Sequence, residues 1–407
     1  MHVILVEPAF PSNQREFVRA LKQAGAAVSA IGERPYDWLD GQLKEWLTWY
    51  EQVPTVCDTG VLFKAVRGMQ KRGWIDRLEA TVEAHMLTTA KVRELCRIPG
   101  TSVDTTIKCR DKPIMKQALR EAGVPCARSA GASSAEEVKA FIDEVGYPII
   151  MKPRDGAGAA GTYRITDDAS FASVMQESGL AHGSFPVAVE EFLEGHEGFF
   201  DTITVNGKVV HEFITHYYPN VLHAMRTRWI SPQFVTTNRI DAEGYTEVRK
   251  MGRRVIEVLG IENAPTHMEW FQTRKGLMFS EIGCRPPGVG AWDLYCAAND
   301  MDLYVEWARG ICGLPPAQRP SRRYSAGLVA LRPDRDGRIR GYENVESLFE
   351  DLGQFIIHAH FPPPGSAAAP VEGGYKANAW VQMRHPDYDD LRKMLDIVGQ
   401  KVKVRAG

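Results

Sequence analysis

The sequence predicts an α+β protein that begins with an α/β domain. The first observation behind this fold class is an alternation of short apolar runs with helical stretches over residues 1–104. The second is a change of character at Tyr147, after which short runs of β-branched and aromatic residues dominate. The third is the length of 407 residues, which at roughly 150 residues per domain favours two or three domains.

The N-terminal elements alternate between strand and helix. In order, the predicted elements are a strand at 3–6, a helix at 15–22, a strand at 27–31, a strand at 75–81 and a helix at 82–95. Gly25 ends the first helix, and Pro99-Gly100 follows the last one. This order predicts a mostly parallel sheet covered by helices, which we assign to an N-terminal domain over residues 1–104.

The middle of the chain, residues 105–313, opens with a helix and continues with strands. Asp111 followed by Lys112-Pro113 is typical of a helix N-terminus, and Gly123 closes that helix. The strand predictions that follow are 149–152, 162–166, 187–192, 199–205 and 209–215. Asn206-Gly207 between the last two is a hairpin signal, so this region is predicted to be antiparallel.

A proline-rich segment separates a C-terminal unit, residues 314–407. Pro315, Pro316 and Pro320 mark the boundary. The strands predicted beyond it are 326–331, 355–360 and 380–383. We therefore expect a small α+β domain at this end.

Composition and charge exclude several classes of protein. Hydrophobic residues make up 44% and charged residues 25% of the chain, and 49 Lys and Arg balance 51 Asp and Glu. A net charge of -2 gives no general attraction to nucleic acid or to an anionic membrane. The seven cysteines form no CxxC pair, which argues against a zinc site. With no signal-like N-terminus and no apolar run of roughly 18 residues, a cytoplasmic protein is expected.

The glycine motif at residues 156–161 resembles a dinucleotide-binding turn but lies in the wrong context. It reads Gly-Ala-Gly-Ala-Ala-Gly, and the residues after it predict a strand where that turn requires a helix. A glycine-rich loop between two strands can still wrap phosphate oxygens with its backbone N–H groups. Lys152, directly before the loop, could reach the same phosphate; the alternative is a strand-end lysine that points into solvent beside a flexible loop.

Glu269 and Glu281 lie on two strands joined by the turn at residues 272–276. If the hairpin is centred on Lys275, the two carboxylates face each other across the strands. Mg²⁺ suits such a pair, because it prefers one or two carboxylates together with phosphate oxygens and water. The alternative is a pair of solvated glutamates on an exposed sheet face. Arg285, in a Pro/Gly turn four residues later, suits a carboxylate or phosphoryl group.

Taken together, these motifs resemble the ATP-grasp superfamily of carboxylate-amine ligases, most of all the bacterial L-amino acid ligases. The likeness covers residues 104–313 and implies the ATP-grasp fold in a three-domain arrangement: a biotin-carboxylase-like N-terminal domain, a two-lobed core with its hinge near 190–193, and a small C-terminal domain. One departure is Gly283, where the metal motif of the family, E-x-N-x-R, usually has asparagine.

The resemblance implies a role for each motif residue. The ATP-binding set is Lys112, Lys152, the loop residues Gly156, Ala157, Gly158, Ala159, Ala160, Gly161 and Thr162, the hinge residues Glu190, Glu191, Phe192 and Leu193, and Glu197 at the ribose. Glu269 and Glu281 would hold one or two Mg²⁺ ions, with Mn²⁺ as a substitute. Arg285 and Gly288, with Lys152, would act on the acyl substrate and its phosphorylated form.

The implied reaction is ATP-dependent formation of an amide or peptide bond through an acyl phosphate, with small-molecule carboxylate and amine substrates such as amino acids or small peptides. His267, Tyr217, Arg226 and Arg228 are candidates for substrate contacts; the last three follow a predicted strand, where a purely structural loop is the alternative. Competing interpretations are a biotin-carboxylase-like enzyme, a formate-dependent enzyme of purine biosynthesis, and a non-catalytic nucleotide-binding module. The resemblance leaves a homodimer open.

Overall fold

The N-terminal region forms a four-stranded parallel sheet. The computed structural model of the protein describes residues 1–156, 161–183 and 185–407. The strands are β1 (His2–Val6), β2 (Ala27–Gly32), β3 (Trp49–Gln52) and β4 (Arg77–Glu79), in the order β3-β2-β1-β4. The helices are α1 (Gln14–Gln23), α2 (Gly41–Trp46), α3 (Thr59–Gln70) and α4 (Glu83–Cys96). The predicted parallel sheet with its helices is confirmed, although β4 is shorter than the strand predicted at 75–81.

Two short helices connect this region to a small antiparallel sheet. They are α5 (Val103–Lys108) and α6 (Lys112–Glu121), and the Asp111 carboxylate caps α6 by accepting a hydrogen bond from the Ile114 amide. The sheet has the order β5-β8-β6-β7, with β5 (Ser129–Ala132), β6 (Ile149–Pro153), β7 (Tyr163–Ile165) and β8 (Val187–Glu191). Helices α7 (Ala135–Val145) and α8 (Asp168–Ser178) cover it, and we call these six elements the small lobe.

An eight-stranded antiparallel sheet, here called the large sheet, runs through the rest of the chain in the order β13-β12-β9-β10-β11-β14-β17-β16. Its strands are β9 (Gly195–Val205), β10 (Lys208–Tyr218), β11 (Gln233–Thr236), β12 (Ala264–Thr273), β13 (Gly276–Gly283), β14 (Ser325–Leu331), β16 (Ile356–His360) and β17 (Ala379–His385). Outside it, β15 (Ile339–Glu343) pairs with β18 (Lys403–Ala406). The helices are α9 (Val221–Ala224), α10 (Thr246–Val258), α11 (Ala291–Asn299), α12 (Leu303–Ile311), α13 (Val345–Leu352) and α14 (Tyr388–Lys401).

The large sheet crosses the proposed domain boundary at 313/314. Strand β11 pairs with β14, so the three C-terminal strands continue the sheet that the core begins. The predicted strands at 326–331, 355–360 and 380–383 are confirmed within one or two residues. The C-terminal unit is therefore joined to the core by backbone hydrogen bonds as well as by the chain.

One strand prediction was too short. We expected β10 to end at residue 215, but it continues to Tyr218 because residues 215–218 pair with β11. Tyr217 and its neighbours therefore lie in a strand of the large sheet, and the prediction that they form a loop after a strand was wrong. By contrast, the Asn206-Gly207 turn forms as predicted, with positive φ at both residues.

The hydrophobic cores place the N-terminal sheet against the large sheet. Ile4 and Met86 of the N-terminal region share a core with Phe200 and Met268 of the large sheet. The small lobe has a core of its own, which includes Val138, Ile149 and Val189. In the ranges described, no helix combines the length and apolar character that crossing a membrane requires.

Candidate active site

A cavity of about 700 Å³ lies where the small lobe, the large sheet and the N-terminal region meet. Its volume suits a small-molecule ligand, since such sites measure about 300–1,000 Å³. The predicted site residues along its wall are Lys112, Lys152, Gly156, Thr162, Glu190, Glu191, Phe192, Leu193, Glu197, Tyr217, Arg226, His267, Glu269, Glu281, Arg285 and Gly288. Ala157, Gly158, Ala159 and Ala160 lie outside the described residues.

The two hairpin glutamates face each other on the wall of the large sheet. Glu269 on β12 is paired directly with Glu281 on β13, as predicted. The register beside the turn differs from the prediction by one residue, because Thr273 pairs with Gly276 and not with Leu277. A register shift between Glu269 and Trp270 then brings the two glutamates opposite each other. Burial opposes ionisation of Glu281, but Lys112 and Lys152 outweigh it and lower its pKa to about 2. Glu281 is therefore a carboxylate at every physiological pH.

Glu197 on β9 adds a third carboxyl group beside this pair. Burial, with the neighbouring charge of Glu269, raises the pKa of Glu197 to about 8, even though its side chain accepts a hydrogen bond of 2.7 Å from the Val221 amide. Three carboxyl groups are thus crowded at this wall, and the raised pKa of Glu197 reports its burial together with their mutual repulsion, which a bound cation would relieve. No three metal-binding side chains converge among the residues described, so a bound ion would complete its coordination with phosphate and water oxygens.

Two lysines approach the carboxylates from the opposite side. Lys112, in the first turn of α6, donates a 2.6 Å hydrogen bond to the Gly156 carbonyl and lies 3.6 Å from Glu281. Lys152, on β6, lies 2.9 Å from Glu190 and 3.4 Å from Glu281. Burial opposes charge on Lys152, but Glu190 and Glu281 raise its pKa above the ordinary value. Lys152 is therefore a cation, and both amines lie where they could bind polyphosphate oxygens.

The Glu190 side chain faces the interior. Its carboxylate bridges Lys152 and Lys116, which is 2.7 Å away and has a side chain only 1% exposed. Lys116 was not singled out from the sequence, where it reads as an ordinary residue of the α6 surface. Its burial shows that Glu190 links α6 to β6 by charge.

Two backbone amides of the hinge residues 190–193 already donate hydrogen bonds within the protein and are not free to bind a nucleotide. The Glu191 amide donates to the Arg128 carbonyl, and the Phe192 amide donates to the Pro148 carbonyl. The Leu193 amide is the next donor along the chain. Phe192 lies under the Arg164 guanidinium, 4.3 Å from the ring centre, and forms a flat apolar face of the cavity.

Arg285 is fixed by an N-terminal residue that sequence reasoning missed. Its Nε donates to a Glu83 carboxylate oxygen at 2.8 Å, and Arg110 binds the other oxygen of Glu83 at 2.9 Å. A Cβ on Gly283 would lie 3.3 Å from Glu83, so the glycine leaves room for this carboxylate. Glu83 begins α4 and is separated from Arg285 by 202 positions, so no local pattern indicates the pairing.

The candidate substrate residues have different surroundings. Tyr217 is buried and lines the cavity. Burial disfavours charge on His267, yet Asp201 at 2.7 Å and Glu269 raise its pKa to about 9, which makes it a counter-ion of these carboxylates. Arg226 donates to the Thr162 carbonyl, next to the glycine loop. Arg228 is directed to Asp336 and the Pro333 carbonyl, so its placement as a substrate residue is not supported by its contacts.

Comparison with known proteins identifies related sequences and folds. The ATP-grasp domain family matches residues 117–300. The L-arginine-specific L-amino acid ligase of Bacillus subtilis is 27% identical over 58% of this chain and 58% of its own length. A formate-dependent phosphoribosylglycinamide formyltransferase of Chlorobium phaeobacteroides is 29% identical over 84% of this chain and 83% of its own length. The L-amino acid ligase structure from Bacillus licheniformis superimposes with a TM-score of 0.78 and 15% identity, covering 100% of this chain and 98% of that one. The match to the arginine-specific ligase therefore spans less than two thirds of that relative.

Proposed function

We propose that the protein is an ATP-dependent carboxylate-amine ligase that joins amino acids or small peptides through an acyl phosphate, since residues 117–300 match the ATP-grasp domain family. One observation carries the proposal. The cavity brings Lys112, Lys152, the Glu269 and Glu281 pair and Arg285 to a common space, although these residues come from separate parts of the chain.

The proposed reaction needs a carboxylate to become an electrophile. An oxygen of the acid attacks the γ-phosphorus of ATP, the bond to the bridging oxygen breaks, and ADP leaves. The amine nitrogen then attacks the carbonyl carbon of the acyl phosphate, phosphate departs, and the amine loses a proton. Most of the catalysis in phosphoryl transfer comes from placement and charge.

The chain's own residues supply that placement. Lys112 and Lys152 are positioned to hold phosphate oxygens, and Glu269 with Glu281 would hold Mg²⁺, whose charge when bound neutralises those oxygens. Arg285 presents a guanidinium whose Nε donates to Glu83 and whose Nη1 donates to the Pro286 carbonyl at 2.7 Å, which leaves Nη2 for the acid or its phosphoryl group. The family resemblance assigns contacts with the phosphates to loop residues 156–162, of which 157–160 lie outside the described residues.

A substrate screen tests the proposal directly. Purified protein is given MgATP and pairs of the twenty proteinogenic L-amino acids, and ADP release is measured against reactions that lack one partner. Release that requires both an acid and an amine supports a ligase. No ADP release with any pair would overturn it.

Two variants connect that activity to the site. Glu281→Ala and Arg285→Ala are each expected to abolish ADP release without loss of the folded state, checked by circular dichroism. Arg274→Ala, an exposed arginine in the turn of the same hairpin, is the matched control and keeps full activity. ADP release at the wild-type rate from either site variant would show that the assignment is wrong.

A formate-dependent transfer is the second candidate, because the formyltransferase match covers more of the chain than the amino acid ligase match does. The same assay separates the two. ADP release that requires formate and phosphoribosylglycinamide, and is absent with amino acid pairs, favours this second function.

A further inference from the structure

Tyr375 enters the cavity from a segment that neither the motifs nor the family match includes. It lies between β16 and β17, whereas the ATP-grasp match ends at residue 300. Its side chain is 5% exposed and lines the cavity. The hydroxyl oxygen is buried and has no hydrogen-bond partner within the parts of the chain that the structure describes.

A buried hydroxyl without a partner is costly, so it calls for an explanation. The ring of Tyr375 packs edge-on against Phe234 at 5.4 Å and lies 6.2 Å from the ring of Tyr217. Phenylalanine would make the same ring contacts without the desolvated oxygen. The packing therefore accounts for the ring but not for the hydroxyl.

The surrounding segment fixes the position of this side chain. The Asn378 side chain bonds both to the Ala369 amide at 2.9 Å and to the Ala369 carbonyl at 3.1 Å, which closes a loop around Tyr375. Lys376 packs over Trp380, with its Nζ 4.0 Å from the ring centre. Gly374 has a φ of 99°, which favours glycine, directly before the tyrosine. The hydroxyl is thus held in place before any ligand binds.

The contacts of the neighbouring residue Lys376 show which part of the cavity wall the segment around Tyr375 packs against. A Cβ on Gly290 would lie 2.6 Å from the Lys376 Nζ, so the segment is seated against the turn that carries Arg285 and Gly288. Lys112 on α6 and Lys152 on β6 of the small lobe form another part of the wall. The segment that carries Tyr375 therefore packs against the turn that presents Arg285, the residue assigned to the acid, and both side chains line the same cavity.

The local charges decide what the hydroxyl can do. Burial, with Glu197 and Glu269 nearby, raises the pKa of Tyr375 far above its ordinary value, so the hydroxyl keeps its proton and acts as a donor. The Nη2 of the neighbouring Arg332 is also buried and, among the described residues, unpartnered. Tyr375, unlike Arg332, lines the cavity, so its unpartnered donor indicates that the ligand brings an acceptor oxygen to this place.

We propose that Tyr375 is a substrate-contacting residue whose hydroxyl donates a hydrogen bond to an oxygen of the carboxyl group that becomes phosphorylated. The proposal rests on the ligase function proposed above. It gives the C-terminal segment a part in acid recognition, while the nucleotide is held by the small lobe and the hairpin carboxylates.

Tyr375→Phe tests it, because the substitution removes one oxygen and leaves the ring. With the amino acid pair that gives most ADP release, kcat/KM for the acid is expected to fall about 10- to 100-fold, as for a lost hydrogen bond to a charged group. The Kd for ATP, measured by calorimetry, is expected to stay within twofold. The melting temperature should not fall, since the hydroxyl bonds to nothing in the described structure.

Tyr342→Phe is the matched control, because the Tyr342 hydroxyl donates to the Pro362 carbonyl in the C-terminal region, at a position that does not line the cavity described. Its kcat/KM for the acid is expected to equal that of the wild type. Three results for Tyr375→Phe would each overturn the role of Tyr375 while leaving the ligase function intact. They are an unchanged kcat/KM for the acid, a loss confined to ATP affinity, and a lower melting temperature. Absence of turnover by the wild-type protein with every pair would overturn the ligase function, and the inference with it.

Discussion

Replacing Glu190 with glutamine removes a buried negative charge from between two lysines. Lys116 and Lys152 lie 2.7 and 2.9 Å from the Glu190 carboxylate. Lys152 keeps a second carboxylate, Glu281, at 3.4 Å, whereas Glu190 is the one ion-pair partner of Lys116 within the described residues. The Lys116 side chain is only 1% exposed, so water cannot replace the lost charge.

The expected loss in the free energy of unfolding is about 3–5 kcal/mol, the cost of leaving one partner of a buried pair uncompensated. The cost of deprotonating Lys116 sets a similar upper limit on this loss. Lys116 can escape the penalty by losing its proton, and deprotonating a lysine of ordinary pKa at pH 7 costs about 4.6 kcal/mol. Burial already lowers the pKa of Lys116, although Glu190 opposes this. Deprotonating Lys116 therefore costs less than it would for a lysine of ordinary pKa.

Urea denaturation followed by far-ultraviolet circular dichroism measures the effect. Glu191→Gln is the matched control, because Glu191 pairs across 3.2 Å with Lys275, whose side chain is 78% exposed, and an exposed pair contributes only about 0–1 kcal/mol. The double variant Lys116→Met/Glu190→Gln removes the stranded charge with little change in volume. It should recover most of the loss, and a double variant as unstable as Glu190→Gln would refute the reasoning.

Two further predictions concern proton binding and packing. The pKa of Glu197 is raised to about 8, above its unfolded value, so its contribution to stability is greatest below about pH 4.5 and is lost as the pH rises towards 8. In EDTA, the difference in melting temperature between the wild type and Glu197→Gln should therefore fall from pH 5 to pH 8. Saturating Mg²⁺ should make this difference depend less on pH. A difference that does not change with pH in EDTA would contradict the prediction. Gly198→Ala places a Cβ 2.4 Å from the Trp270 ring and should lower the free energy of unfolding, measured by urea denaturation, by about 1–3 kcal/mol. Gly244→Ala is the control, because a Cβ there would have nothing within 4 Å, and it should have little effect. Equal stabilities of the two variants would show that the close contact at Gly198 is not costly.

The parts of the site that sequence could predict are those set by local rules. Glu269 and Glu281 were correctly placed on two strands joined by a short turn, which is a local signal. They face each other because a register shift between Glu269 and Trp270 offsets a one-residue error in the register predicted beside the turn, and no local pattern indicates that shift. The loop at 156–161 was correctly separated from a dinucleotide-binding turn because β-branched residues follow it, and β6 and β7 do pair as antiparallel strands. Asp111 was recognised as a helix cap from its position before Lys112-Pro113.

The parts that sequence did not reveal depend on contacts between distant segments. Tyr217 was placed in a loop because nothing within residues 209–218 indicates that β10 continues to residue 218, where it pairs with the distant strand β11. Glu83 and Tyr375 enter the cavity from opposite ends of the chain, and each looks like an ordinary helix or loop residue in its own segment. Such residues become visible only when the fold has brought their partners together.

The continuity of the large sheet across residue 313 limits how this protein can be cut or recombined. A fragment that ends there would expose one edge of β11, Gln233–Thr236, because β14 normally covers it. The backbone N–H and C=O groups on that edge would be unpaired, whereas those on the other edge stay bonded to β10. Open edges of this kind promote aggregation. A chimera that takes its C-terminal portion from a relative must therefore match the β11–β14 register as well as the loop that presents Tyr375, so shuffling for new acid specificity would have to exchange the two together.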